Sequence, residues 1–379
     1  MELTKYKLGE LLTIKNGKDY KHIENGDIPV FGSGGYMCSI GSYLYDKPSI
    51  LLPRKGTLSN IQFYDKGAFW TVDTCFYSLI NEELVDGYYL YRLLRSIDLS
   101  GLDTGASIPS MTQKTYNGIK ISLPPLPSQR KIASILSAYD SLIENNTKRI
   151  RLLEQMAENL YKEWFVRFRF PGHEHTEFVD GLPKEWKYEK LGTLCDTIGG
   201  GTPSTKMPEY WGGDIKWVTP SDITSKSSLP LLNIEGRITE EGLNKSSAKL
   251  LPPYSILMTS RASIGFFGIA PEQVCTNQGF ISIIPNKESM RMYILYSLKA
   301  RREEIIANAN GATFLEISKG RFRKMKMVVP TNDLLEKFEL ECKHIFNLVL
   351  TLERQSALLI RQRDLLLPRL MSGKLEVKA

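Results

Sequence analysis

The sequence predicts an α+β protein built twice: two similar α+β domains separated by two long antiparallel coiled-coil helices, with an internal pseudo-two-fold repeat. Three observations predict it. First, phrases recur at fixed spacing. Gly105-Ala106-Ser107 returns 206 residues later as Gly311-Ala312-Thr313, and Ser49-Ile50-Leu51-Leu52 returns as Ser255-Ile256-Leu257-Met258. The alternating stretch Ile119-Lys120-Ile121-Ser122-Leu123-Pro124 returns at the same spacing as Met325-Lys326-Met327-Val328-Val329-Pro330. Near each start the spacing is shorter, Leu8-Gly9 matching Leu191-Gly192, so the second copy holds about 23 extra residues between Leu194 and Ser255, an insertion that loops tolerate. Second, each copy ends in a long heptad pattern. Third, the stretches before those patterns are short β-rich segments punctuated by Gly, Pro and Asn.

In chain order, residues 1–124 form the first domain, with strand-like runs at Ile28-Pro29-Val30-Phe31, Ser49 to Leu52 and Phe69 to Ile80, and one helix over Asp86 to Ile97. Residues 125–170 form the first spacer helix. Its stretch from Ser128, a candidate N-cap, to Phe165 contains no Pro or Gly. Steps of four and three select Ile132, Leu136, Tyr139, Ile143, Asn146, Ile150, Leu153, Ala157, Leu160 and Trp164, all apolar but Asn146. At ~1.5 Å per residue this helix is about 57 Å long. Residues 171–182 have linker composition, and 183–330 form the second domain, with one helix over Met290 to Asn308. Residues 331–379 hold the second spacer helix and a tail. Its seam, 206 residues on, is Phe338, Cys342, Ile345, Val349, Leu352, Ser356, Leu359, Arg363, Leu366 and Leu370, and Pro368 is expected to end or kink it near Leu367. Each seam is the width that packs against one partner helix, and burying such side chains is worth roughly 1.5–3 kcal/mol each. Pseudo-two-fold symmetry makes the pair antiparallel. Asn146 and Arg363 interrupt the seams, a device that lowers stability but fixes register.

Bulk properties bound the function. A chain of 379 residues, 42% hydrophobic and 24% charged, is an ordinary globular protein with room for two or three cores. A net charge of +7 suits an acidic partner without demanding one. The five cysteines, an odd number with no CxxC pair, read as reduced, buried thiols of a cytoplasmic protein. The opening Met1-Glu2-Leu3-Thr4-Lys5 does not read as a signal peptide, and no run approaches the roughly 18 apolar residues of a membrane span.

No constellation for catalysis or a metal emerges. His173-Glu174-His175 has ligand residue types but lies in the linker without a third partner. Gly199-Gly200-Gly201-Thr202 lacks the Gly-Lys-Ser/Thr ending of a phosphate loop, and Gly32-Ser33-Gly34-Gly35 is a turn signal. Leu251-Pro252-Pro253-Tyr254 superficially resembles the active-site tetrapeptide of amino-methylating DNA methyltransferases. Leucine, however, cannot hydrogen-bond a target amine as the polar first residue of that motif does.

What the domains do carry is matched loops of small polar and basic residues. In the first copy these hold Lys18; Arg54, Lys55, Thr57 and Asn60; and Ser107, Ser110 and Lys114. In the second they hold Thr202, Ser204, Lys206 and Tyr210; Arg261 and Ser263; Asn277 and Gln278; and Thr313 to Lys319. Arg pairs bidentately with guanine, Asn or Gln with adenine, and Ser or Thr with either base or phosphate, so these are the candidate DNA-binding residues.

Taken together, these features resemble the specificity subunit of type I restriction–modification systems. The phrases that carry the resemblance are Leu123-Pro124-Pro125-Leu126-Pro127-Ser128-Gln129-Arg130-Lys131-Ile132-Ala133, Gly200-Gly201-Thr202-Pro203-Ser204 with Glu209-Tyr210-Trp211, Asp222-Ile223 after Pro220, and Leu367-Pro368-Arg369-Leu370-Met371-Ser372-Gly373-Lys374-Leu375. The resemblance implies two target-recognition domains, each reading one half of a split, asymmetric site on double-stranded DNA, held apart by the antiparallel helices. It implies no catalytic residue, metal or cofactor on this chain. The helices would dock two modification subunits, which carry S-adenosylmethionine and the methyltransferase chemistry, and restriction subunits that translocate and cleave DNA would join them. Half-site readers commonly lie about 34–36 Å apart on one DNA face. In one respect the chain departs from the pattern: the first domain lacks a Gly-Thr-Pro-Ser phrase at the position matching Gly201, and its loop there is shorter. Two rival readings are a self-sufficient DNA-modifying enzyme and a coiled-coil assembly scaffold without DNA recognition.

Overall fold

The computed structural model describes residues 3–102, 109–226, 228–311 and 314–375. Contacts group the chain into two compact units, Met1–Ile143 with Leu359–Ala379, and Glu144–Leu358. Each unit therefore takes one globular copy and a part of each long helix.

In the first unit, Thr4–Lys7 pairs antiparallel with Lys120–Leu123 and so ties the start of the copy to its end. A four-stranded antiparallel sheet has the order Leu12–Asn16, Cys75–Ile80, Ser49–Pro53, Gln62–Tyr64. A three-stranded sheet has Asn25–Gly32 at its centre, antiparallel to Gly35–Ile40 and parallel to Trp70–Thr71. The expected helix forms over Gly87–Ser96. Asp86 caps it, its carboxylate accepting from the Tyr89 N–H at 2.9 Å, and Tyr89, Leu90 and Leu94 are buried on the core face. Ile132, Ala133 and Leu136 of the first long helix and Leu370 of the second enter the same core.

The second unit repeats this plan. Lys187–Lys190 pairs antiparallel with Lys326–Val329, and the register Lys187↔Val329 is Thr4↔Leu123 moved by the two spacings read from sequence. The four-stranded order is Cys195–Gly199, Phe280–Pro285, Ile256–Thr259, Phe267–Ile269. Trp211–Val218 is the central strand of the three-stranded sheet, between Arg237–Ile238 and Cys275–Thr276. Much of the extra length lies in one connection: the two residues Ser33 and Gly34 join the central strand to its hairpin partner in the first copy, against residues 219–236 in the second.

The long helices run over Leu126–Tyr161 and Asn332–Met371. Within the second unit Asn146 meets Gln355 and Ser356 while Ile150 packs with Val349 and Leu352, so the two run antiparallel there; within the first, Asp140 meets Arg363. Ile132, Leu136, Ile150, Ala157, Phe338, Cys342, Val349, Leu352, Ser356 and Leu370 are buried, while Ile143, Leu153, Leu160, Ile345, Leu359 and Leu366 are half-buried. Asn146, 4% exposed, donates to Gln355 Oε1 at 3.1 Å and Ser356 Oγ at 3.2 Å, so the polar break in one seam meets a polar break in the other.

Several expectations need correction. The first helix begins at Leu126, two residues before Ser128, because Pro127 is tolerated in a first turn whose N–H groups lack intrahelical partners. It leaves α-helical geometry after Tyr161, where Lys162–Val166 forms a single π turn. Pro368 does not end the second helix. So near the C-terminus it forfeits one hydrogen bond, and burial of Leu370 to 1% exposure holds the last turn in place. The helix expected over Met290 to Asn308 is broken at Arg301 into Arg291–Ala300 and Arg302–Ala307, and each copy holds further short helices. All five cysteines are free, but Cys38 is only half-buried.

Candidate nucleic-acid interface

Each four-stranded sheet ends in a rim of loops, and the same backbone bonds knit that rim in both copies. In the first, Gly56 N–H donates to Pro109 O at 2.9 Å and Met111 N–H to Arg54 O at 3.0 Å. In the second, Ala262 N–H donates to Leu315 O at 2.9 Å and Ile317 N–H to Ser260 O at 3.0 Å. All eight residues correspond at the 206-residue spacing. So do the bridges Lys55↔Ser110 and Arg261↔Glu316. Lys55 and Arg261, both basic and exposed, thus occupy one position in two copies. Gly56 has φ +90° and Ala262 φ +59°, so an L-residue in the second copy adopts the left-handed backbone that glycine takes in the first.

The N-terminal loop joins this rim through a close approach. A Cβ on Gly17 would lie 2.0 Å from Val72 O, and one on Gly200 would lie 2.0 Å from Asn277 O. One on Gly201 would lie 2.3 Å from Ser247 Oγ, so the glycine phrase lets the backbone pass through a tight gap. Lys18 N–H donates to Thr71 O and Gly201 N–H to Thr276 O, both at 2.8 Å. An indole caps each turn, Trp70 Nε1 donating to Lys18 O and Trp217 Nε1 to Gly201 O, from strands that do not correspond.

The second copy therefore gathers Thr202, Asn277, Gln278, Lys319, Arg261 and Ser263. Thr202 donates to Gln278 Oε1, Lys319 Nζ packs beside Gly199, and Arg261 Nε lies 3.8 Å from Glu316. Asn277 turns its Oδ1 to the Gly279 N–H at 2.9 Å, shaping the loop. Ser204, Lys206 and Tyr210 sit farther along the N-terminal loop, which Trp211 Nε1 holds through Ser204 O at 3.2 Å. The first copy gathers Lys18, Lys55, Thr57, Asn60, Ser110 and Lys114. Asn60 donates to Ser33 O at 2.7 Å, drawing the turn of the neighbouring hairpin into the rim. Arg54 is half-exposed, its guanidinium donating to Asp73 O at 3.4 Å and lying 5.9 Å from the Phe76 ring centroid. Ser107 and Thr313 lie outside the described residues. Sequence reasoning missed Asn16 and held Gln113 within the candidate loop up to Lys114 without singling it out; the two are joined at 3.1 Å where the second copy sets Gly199 beside Lys319, a match the repeat spacing could have found.

Among the described residues, no group of three or more His, Cys, Asp or Glu could hold a metal. Tyr254 of the Leu-Pro-Pro-Tyr loop packs on Phe346, with Arg291 5.5 Å from its ring centroid, a structural role. Burial pushes the thiols of Cys75 and Cys275 up to about 12 and that of Cys195 to about 11, disfavouring the thiolate. No helix among the described residues is long and apolar enough to cross a membrane.

The family model for the type I restriction modification DNA specificity domain matches residues 2–155 and again 183–333. Among curated proteins, the chain is 32% identical over 198 residues to the type I restriction enzyme MjaIX specificity subunit of Methanocaldococcus jannaschii, covering 52% of this chain and 46% of that one. It is 24% identical over 332 residues to the HindI specificity subunit of Haemophilus influenzae, covering 71% and 72%. The crystal structure of the type-I restriction-modification system S subunit from M. genitalium superposes with a TM-score of 0.69 over 98% of this chain and 96% of that one, at 16% identity, and so shares the fold. Because the family match covers well over half the chain and falls once on each copy, this chain belongs to the type I restriction–modification DNA specificity family.

Proposed function

We propose that this chain is the non-catalytic DNA reader of a type I restriction–modification complex, each globular copy reading one half of an asymmetric bipartite site on double-stranded DNA. The observation that carries the reading is the rim: equivalent backbone bonds present different side chains, so one scaffold offers two chemistries. At equivalent positions Lys55 corresponds to Arg261, Gly56 to Ala262, and Gln113 to Lys319. Identical loops would read a palindrome; unlike loops read two different sequences.

The long helices also carry a surface suited to two copies of one partner. Leu142 and Leu152 recur 206 residues later as Leu348 and Leu358, and all four are 40–59% exposed beside seam residues that are buried or half-buried. Apolar side chains repeated at equivalent exposed positions mark equivalent docking points. On this reading they receive two modification subunits, which bring S-adenosylmethionine and the methyltransferase chemistry, and restriction subunits join that core in the cytoplasm.

Methylome sequencing of cells expressing the chain with its cognate modification subunit tests the reading. The expected result is a new split methylated motif with a fixed gap, absent without this chain. Lys55→Ala and Arg261→Ala should then each relax or weaken one half-site only, by about 1–3 kcal/mol where a base contact is lost. An equal loss at both halves from either variant counts against modular reading.

A further inference from the structure

The insertion that distinguishes the second copy does more than lengthen a connection. Within it, Leu229 N–H donates to Glu154 Oε1 of the first long helix at 2.6 Å, and Ser228 Oγ donates to Glu353 Oε1 of the second at 2.5 Å. Ser228 is 9% exposed and Leu229 5%, so both bonds are sheltered from water. The next residues are stitched to the edge of the four-stranded sheet. Ile269 N–H donates to Leu229 O at 2.8 Å, Leu231 N–H donates to Ile269 O at 2.9 Å, and Pro230 bridges Ile269. Gly268 makes room for the segment, since a Cβ there would lie 2.8 Å from a Leu231 methyl. That edge strand, Phe267–Ile269, is one arm of the hairpin whose turn carries Arg261 and Ser263. A short covalent and hydrogen-bonded path thus runs from one carboxylate on each long helix to the candidate DNA-contacting hairpin. Among the described residues the first copy has no equivalent segment. Its two strands are joined by Ser33 and Gly34 alone, and position 154 corresponds to Ile360, position 353 to Thr147.

We infer that Glu154 and Glu353 are positioning residues for recognition, clamping residues 228–231 so that the second reading hairpin is held at one angle on the helix pair and the complex accepts one gap between half-sites. The inference rests on the bipartite reading above. A packed apolar face alone permits small rotations at little cost. Two part-buried hydrogen bonds to carboxyl oxygens, one on each helix, do not, because turning the domain breaks both.

The test uses the reconstituted complex with the full chain and duplexes bearing the motif that methylome sequencing defines, with its own gap or one base pair more or less. Glu154→Leu with Glu353→Leu removes both acceptors; Glu154→Gln with Glu353→Gln keeps an oxygen at each position. The leucine pair should lose about tenfold in discrimination between the native and altered gaps, with both half-site sequences still required, while the glutamine pair stays within about twofold of wild type. A structural role alone would lower methylation on all duplexes in proportion and leave that ratio unmoved. Wild-type gap discrimination in the leucine pair, or an equal loss in the glutamine pair, overturns the inference. Should the leucine pair fail to assemble, Ser228→Ala decides, since it deletes a single donor: an unchanged gap ratio overturns the clamp. A wild-type complex that methylates no split motif refutes the bipartite reading instead, a result distinct from either.

Discussion

At the scale of single residues, two positions hold conformations or charges that the rest of the fold imposes on them. Ala262, at φ +59°, stands where the first copy has Gly56, on the turn that carries Arg261 and Ser263. Left-handed backbone costs an L-residue about 1 kcal/mol or more, so Ala262→Gly should stabilise the chain by roughly 1 kcal/mol in denaturant melts. No gain would mean that the alanine methyl makes a compensating contact. Glu154 is the second case. Burial raises its carboxyl from the ordinary 4.5 to about 7, with the nearby Glu158 and Glu353 charges pushing the same way and the Leu229 N–H and Lys299 opposing. Between those two values the folded chain holds a proton that the unfolded chain has released. The stability this group contributes is therefore complete below about pH 4.5 and is lost as pH rises through about 7. Glu154→Gln should accordingly raise the melting temperature at pH 8 by more than at pH 5, and an equal shift at both would refute that assignment. Neither feature was legible in the sequence. Glu154 lies off the heptad seam, and its partner is a backbone N–H supplied by an insertion with no template in the first copy.

At the scale of elements, the long helices were legible in their span, direction and buried seam, because a periodicity of four and three over ten positions is a long-range average that survives local exceptions. Their ends were not. Pro127 and Pro368 are punctuation in the sequence, yet the helix passes through both: Pro127 sits in the first turn, where its N–H would have no intrahelical partner, and the bond Pro368 forfeits in the last turn is offset by burial of Leu370. The polar breaks in the seams turned out to have partners. Asn146 meets Ser356, and Arg363 meets Asp140 at 2.6 Å. Asp140 also receives Arg92 at 3.4 Å and the Tyr88 hydroxyl, so one carboxylate joins the domain helix to both long helices within the first unit. Arg92 is only 5% exposed. Asp140→Ala strands that cation, and the expected cost is about 3–5 kcal/mol in chemical denaturation. Asp140→Asn, which keeps an acceptor, should cost less; equal costs would show that packing, not charge, holds the network. The rim loops were legible as a set from the repeat spacing, whereas Arg54, a chemically attractive candidate, proved to be turned onto Phe76. Composition does not reveal which way a side chain faces.

At the scale of the whole molecule, duplication is the organising fact, and it makes the docking surface testable one half at a time. Leu152 and Leu358 are equivalent, 55% and 59% exposed, and sit on different helices of one unit. Leu152→Asp and Leu358→Asp should each remove one modification subunit, giving a complex with a single partner by native mass spectrometry, and the double variant should bind none. Full occupancy in the double variant would rule out the exposed leucines as docking points. The way the chain closes on itself has a further consequence for its synthesis. The second unit is one uninterrupted stretch from Glu144 to Leu358, whereas the first needs Leu359–Ala379 to finish its core, where Leu370 is 1% exposed. On the ribosome the first-made domain therefore waits with Ile132 and Leu136 incompletely covered while the later-made domain completes itself. Translation of the stretch around Leu370 seals the first core, so a stop codon placed before it would damage the domain made first and spare the one made second.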